Sequence, residues 1–229
     1  MSNFVVYNPE GYVVIDDTQK HIGTIAINTI TTLPPYTGYQ ILESFDALGA
    51  PSWYPVTEID TRVVKFTPVQ GEVPLVILMP NPVAYGAGCG TFSTNCGKLY
   101  CLRQDYSIES GYLDVYDTNG NLVWSAKSAE KVPRVTQVVH FTYEDLINDK
   151  EVYIGHDAGF MVNNILGSLD INPGPTGTTT RHFITFWRFN NGNFKAGFRT
   201  GGATSVNDTA IVKALKTYGW DLYVFKFAG

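Results

Sequence analysis

Charge is scarce in this chain. Only 16% of its 229 residues are Asp, Glu, Lys or Arg, against about 25% in an average globular domain. Acidic residues outnumber basic ones, 21 to 16, for a net charge of −5. No long basic run occurs. A protein that holds a nucleic-acid backbone needs dense cationic contacts, so none is expected here. Long apolar runs are missing too. The longest, Pro74 to Pro80, is fenced by prolines and falls far below the roughly 20 residues of a spanning helix. The start, Met1-Ser2-Asn3-Phe4, shows no basic segment followed by an apolar one, so no secretion leader is expected. These absences predict a chain made in a cytoplasm that does not enter a membrane by a helix.

Cysteine is sparse as well. Cys89, Cys96 and Cys101 are the three present. They form no C-x-x-C pair, and no His lies close by to complete a zinc site. Reduced, partly buried thiols are the plain reading; a metal site or a disulfide is the alternative. The frames of catalysis are absent. Gly86-Ala87-Gly88-Cys89-Gly90-Thr91 has Thr where a dinucleotide fingerprint needs its third Gly. Gly97-Lys98 is followed by Leu99 and lacks the upstream Gly of a phosphate loop. Ser93 stands outside any G-x-S-x-G frame. His21, His140, His156 and His182 are scattered. Asp117-x-Asn119-x-Asn121 imitates the start of a calcium loop, but Leu122 and Ser128 stand where Gly and an acidic ligand belong. No catalytic, cofactor or metal residue is therefore assigned.

Aromatic residues are plentiful: 14 Tyr and 13 Phe. They suit sheets and contact surfaces. Residues 112–125 read Y-L-D-V-Y-D-T-N-G-N-L-V-W-S. Two strand phrases flank Asn119-Gly120, and both turn residues tolerate φ > 0 at low cost. The same phrase opens the chain at Val6-Tyr7-Asn8-Pro9-Glu10-Gly11-Tyr12-Val13-Val14. Val6 aligns with Val115, Tyr7 with Tyr116, Gly11 with Gly120 and Val14 with Val123. One hairpin is thus written twice, 109 residues apart.

Further strands are expected at residues 24–32, 39–45, 62–66, 75–79 and 98–103. Residues 75–79 are apolar throughout, as in a strand buried on both faces. Beyond the second hairpin, strands are expected at 135–141, 152–155, 183–189, 194–199 and 221–227. Asn191-Gly192 predicts another tight hairpin. Thr142 and Asp145 resemble a capping box for a helical turn. Residues 208–218 read as a short helix that carries Ile211, Val212 and Leu215 on one face and stops at Gly219.

The expected fold class is all-β. It comprises two β-sandwich-like units, each opened by the shared hairpin, with at most one or two short helices. The boundary is placed between residues 1–106 and 107–229. Residues 81–97 and 167–180, rich in Gly, Pro and Thr, read as long loops, where contacts concentrate. Tyr85 and Phe92 in the first, and Thr176 and Thr178 in the second, are candidate contacts for a partner or glycan. Trp53 and Tyr54, between Pro51 and Pro55, join them as stacking rings, with core filling as the plain alternative.

The two phrases at residues 4–17 and 111–126 resemble poorly characterised virion proteins of tailed bacteriophages. Those carry an aromatic-aliphatic "v-x-i-D-D" opening and, about 100 residues later, a "V-y-D-x-x-G-x-l-v" segment. The resemblance implies a non-enzymatic structural component of the virion, tail-associated at the tail tip, fibre connector or host-contact position. It implies assembly in the host cytoplasm, other virion proteins as partners, and a homo-oligomer in the particle. A host surface glycan or receptor is a further partner. The alternatives are a capsid decoration protein, a carbohydrate-binding β-sandwich module and, last, a glycan-degrading enzyme. The enzyme would need a close carboxylate pair, and the adjacent Glu144 and Asp145 point apart on a helical turn.

Overall fold

The structure is a computed structural model. It describes residues 5–7, 13–16, 23–35, 49–55, 61–63, 75–88, 90–104, 107–174, 177–202 and 210–227. The strand expected at 39–45, Cys89 and Thr176 lie outside these residues.

The first half starts with the hairpin β1 (Val5–Tyr7) and β2 (Val13–Asp16). Then come β3 (Gly23–Thr29), β4 (Thr61–Val63), β5 (Leu75–Pro80), β6 (Val83–Ala87), β7 (Thr91–Ser93) and β8 (Gly97–Arg103). The second half starts with the hairpin β9 (Asp114–Tyr116) and β10 (Leu122–Ser125). It continues with β11 (Pro133–Phe141), α1 (Tyr143–Ile147), β12 (Glu151–Tyr153), β13 (Gly159–Met161) and β14 (Gly167–Gly174). It ends with β15 (Gly177–Asn190), β16 (Asn193–Gly202), α2 (Ala210–Tyr218) and β17 (Trp220–Phe227). Among the described residues, no helix is long and apolar enough to cross a membrane.

The fold is all-β. One sheet runs β11-β17-β13-β5-β8-β3, the other β12-β16-β15-β6-β7-β4, with β14 also on β15. The hairpins stand outside both as separate two-stranded sheets. Each large sheet divides by sequence into two blocks of three. β3, β5 and β8 face β11, β13 and β17 across the β5–β13 pair; β4, β6 and β7 face β12, β16 and β15 across the β6–β15 pair. Both junctions are antiparallel. Read from its outer edge inward, each half lays down the same order. The topology is duplicated, beyond the hairpin that the sequence shows twice.

Details of register support the duplication. β1–β2 pairs Val5 with Asp16, Val6 with Ile15 and Tyr7 with Val13. β9–β10 pairs Asp114 with Ser125, Val115 with Trp124 and Tyr116 with Leu122, the same partners 109 residues on. Both hairpins skip one residue, Val14 or Val123, at the equivalent bulge. The edge strands also match: β3 breaks register between Thr24 and Ala26, and β11 between Val135 and Gln137. Bulges on edge strands discourage pairing with another chain.

The two halves are not separate bodies, however. One core joins them: Val76, Leu78 and Leu99 from the first half pack with Phe160, Trp187, Phe194 and Leu222 from the second. Phe160 sits edge-on to Trp187 and Phe194, with centroids 5.2 and 4.9 Å away. A division into two independent sandwiches at residue 106 is therefore corrected. A three-on-three block leaves its inner strands β5 and β6 with open edges, and β13 and β15 satisfy them.

Strand β5 is buried on both faces, as its apolar run predicts. Val76 and Leu78 enter the main core, and Ile77 enters a second cluster with Leu102 and Phe225. Tyr100 of β8 stacks on Phe227 of β17 at 4.5 Å over that second face.

Two expected loops are strands. Residues 81–97 contain β6 and β7, which pair at Gly86–Phe92 and Ala87–Thr91. Gly86 lies opposite Trp187 in register. A Cβ there would run into the indole ring and come 2.6 Å from the Thr91 carbonyl oxygen. The small residues serve close packing around a Trp, which composition cannot distinguish from a loop. Residues 167–174 and 177–180 belong to the β14–β15 pair, joined from Gly167–Ile184 to Gly174–Gly177. Thr178, Thr179 and Thr180 are β-branched and suit a strand, with Gly and Pro gathered at the turn end.

Helix α1 carries the expected box: Thr142 Oγ1 accepts from the Asp145 N–H (3.1 Å), and Asp145 Oδ2 accepts from the Thr142 N–H (3.0 Å). Helix α2 buries Val212 and Leu215 and stops at Gly219, whose φ is +68°.

Candidate functional site

Inward and outward residues alternate along the seven-stranded sheet. On β16, Phe194, Ala196 and Phe198 enter the core, which turns Lys195, Gly197 and Arg199 to the outer face. On β15, Trp187 and Phe189 face in and Phe186 and Arg188 face out. The segment 49–55 lies across this outer face. Tyr54 packs there with Ala87 and Phe186, with Trp53 and Tyr85 against them. Tyr54 is edge-on to Phe186 at 4.8 Å and to Tyr85 at 6.3 Å.

Trp53 owes its seat to Gly197. A Cβ at Gly197 would stand 3.1 Å from the Trp53 ring and collide with the Asp149 carboxylate. Two cations flank the indole: Lys195 Nζ at 5.6 Å and the Arg188 guanidinium at 6.0 Å from its centroid. Arg188 and the neighbouring Arg199 are also paired with carboxylates. Arg188 binds Glu151 (2.8 Å), and Arg199 makes a two-pronged contact with Asp149 (2.7 and 2.8 Å). Asp149 adopts φ +58°, a left-handed conformation costly outside Gly. That conformation places its carboxylate over Gly197.

The structure thus brings together Trp53, Tyr54 and Tyr85, three of the six residues proposed as contacts. Trp53 and Tyr85 are half-buried. Tyr54 and Phe92 are corrected to core residues, 3% and 1% exposed. Phe92 alternates inward on β7 and meets Trp187 at 6.2 Å. Thr178 lies on the β14–β15 hairpin, opposite Pro173. Sequence reasoning missed the ion pairs that frame Trp53. The alternation F-W-R-F and F-K-A-G-F-R carried a signal for Arg188, Lys195 and Arg199, but the carboxylates come from a different part of the chain.

Among the described residues, Cys96 and Cys101 are not bonded to each other. Cys96 is buried, its Sγ donating to the Tyr85 carbonyl at 3.5 Å, and burial pushes its pKa up to about 12. Cys101 accepts a weak contact from Asn28 Nδ2, and burial raises its pKa too. Both are free. Among the described residues, no three His, Cys, Asp or Glu side chains gather to hold a metal. Asp117, the calcium-loop imitation, turns its oxygens on its own hairpin. Oδ1 accepts from the N–H groups of Asn119 and Asn121, and Oδ2 from Asn121 Nδ2, each at 2.8 Å.

The hairpins offer more exposed aromatic surface than the Trp53 strap. Tyr7 is 60% exposed and its equivalent Tyr116 is 49% exposed. Tyr112 and Leu113 stand beside the second hairpin, both exposed. Compared with known protein families, the sequence matches DUF8377, a domain of unknown function, over residues 1–227. The chain belongs to the DUF8377 family. No curated protein and no solved structure matches it. The match takes in both hairpins and both blocks of each sheet, so the duplicated architecture lies within one DUF8377 domain.

Proposed function

We propose that the chain is a non-enzymatic structural component of a tailed-phage virion, tail-associated, acting as tail tip, fibre connector or host-contact protein. One observation carries this reading: the hairpin phrase that resembles phage virion proteins is built twice, with one register, one bulge and one exposed tyrosine. Neither hairpin belongs to a large sheet, so neither is needed to complete one. Two tabs of this kind suit a particle in which copies bond to repeated neighbours. Exposed Tyr supplies contact area at small entropic cost. The non-enzymatic part rests on the sequence, where every nucleophile, phosphate and metal frame fails.

The test is mass spectrometry of purified particles, which should find the chain. Particles assembled with the Tyr7→Ser, Tyr116→Ser double variant should carry fewer copies. Absence of the unaltered chain from particles would refute the reading.

A further inference from the structure

The two halves differ where the second carries insertions. In the first half, residues 81–82 join β5 to β6 and residues 94–96 join β7 to β8. In the second, residues 162–176 separate β13 from β15 and include β14, and residues 203–219 separate β16 from β17 and include α2. The first half closes its sheets without such segments, so completing the sheets does not require them.

Both insertions line one cavity of about 270 Å³. Asn164 and Leu166 come from the first insertion, and Ile211, Ala214, Leu215 and Tyr218 from α2. Strand β17 adds Trp220, Asp221 and Tyr223. The walls are chiefly aliphatic and aromatic. Trp220 is held in place by its Nε1–H, which donates to the Asn164 carbonyl at 3.1 Å. Tyr218 is 77% exposed. Asp221 Oδ1 meets His140 Nδ1 at 2.7 Å, and its side chain is 46% exposed. Among the described residues, no Lys or Arg lines the cavity.

We propose that this cavity binds one N-acetylated amino-sugar residue of a surface glycan. The volume admits a single pyranose ring with its substituents. An acetyl methyl group matches the Leu166, Ile211 and Leu215 wall, whereas a ring bearing only hydroxyls would strand them against carbon. Tyr218 offers an open aromatic face to the C–H side of the ring. Asp221 Oδ2, the oxygen not held by His140, accepts from a sugar hydroxyl or the acetamido N–H. That carboxylate, with no Lys or Arg among the described lining residues, opposes sialic and uronic acids.

The inference rests on the host-contact side of the virion reading. The test uses the full chain, displayed multivalently, against arrayed oligosaccharides of N-acetylglucosamine, N-acetylgalactosamine and glucose and against sialylated glycans. Binding to the N-acetylated members alone is expected. Tyr218→Ala, at an exposed position, should weaken it about tenfold, the equivalent of one aromatic contact. Ala214→Trp, which plugs the mouth, should abolish it, with the melting temperature of both variants checked against the parent. No binding to N-acetylated glycans would overturn the proposal, as would equal binding of glucose oligomers, preference for sialylated glycans, or binding that both variants leave intact. A chain found in particles that binds no N-acetylated sugar overturns this inference alone. A chain that binds the sugar but is missing from particles overturns the virion reading alone.

Discussion

Single residues in this chain are chosen by what stands opposite them. Gly197 and Gly86 show it, each leaving room for a tryptophan from another segment. Gly197→Ala should cost about 1–3 kcal/mol by displacing Trp53 and Asp149. Urea unfolding would measure this, and a cost near zero would mean that the strap is loose. Asp117 is ordered by local partners instead. The Asn121 amide and the N–H groups around the turn hold its carboxyl below the usual range. A depressed carboxyl adds its full stability above its unfolded pKa, near 4, and loses it as pH falls through the folded value. Amide protection at Asn119 and Asn121 should therefore persist at neutral pH and decline below about pH 4. Asp117→Ala should remove that pH dependence. Protection unchanged on acidification would contradict the turn geometry. Asp117 was readable in sequence, since its partners lie within four residues. The seat of Trp53 was not, since Gly197 is remote in the chain.

Elements signalled by strand alternation, turn chemistry or caps were foreseen; the small-residue stretches 81–97 and 167–180 were misread. The capping box at Thr142 needs only residues three apart. Thr142→Ala should destabilise the protein by about 1 kcal/mol, read as a lowered denaturation midpoint. Thr142→Ser should recover most of it. The hairpins were legible for the same reason. Asn-Gly turns fix the β9–β10 and β15–β16 hairpins, and Gly120 and Gly192 adopt φ +82° and +91°. Residues 81–97 and 167–180 failed the same reading. Their glycines suggest loops, but a glycine that admits Trp187 and one that forms a turn look identical in a composition count.

At the scale of the molecule, each half supplies three strands to each large sheet, with β14 added along β15. The inner edges of the blocks are closed only by the other half. A fragment of residues 1–106 should fail to fold, because β5 and β6 would expose open edges and Val76, Leu78 and Leu99 would lose the Phe160 and Trp187 side of their core. The whole chain should melt in one transition by circular dichroism and by tryptophan fluorescence. Two separated transitions, or a folded 1–106 fragment, would restore two independent domains.

The sequence by itself determined what depends on near neighbours: the all-β class, the twice-written hairpin, the positive φ of Gly120 and Gly192, the capping box and the stop at Gly219. Turn chemistry and strand alternation act over a few residues, and a few residues suffice to read them. Only the tertiary structure decided that the two halves share one core, that Tyr54 and Phe92 are buried, and that two insertions meet over β17 to form a cavity. Those outcomes depend on which segments find each other across long stretches of chain. Many pairings satisfy the same local pattern, and the packing of Trp187, Phe160 and Phe194 between the sheets selects among them.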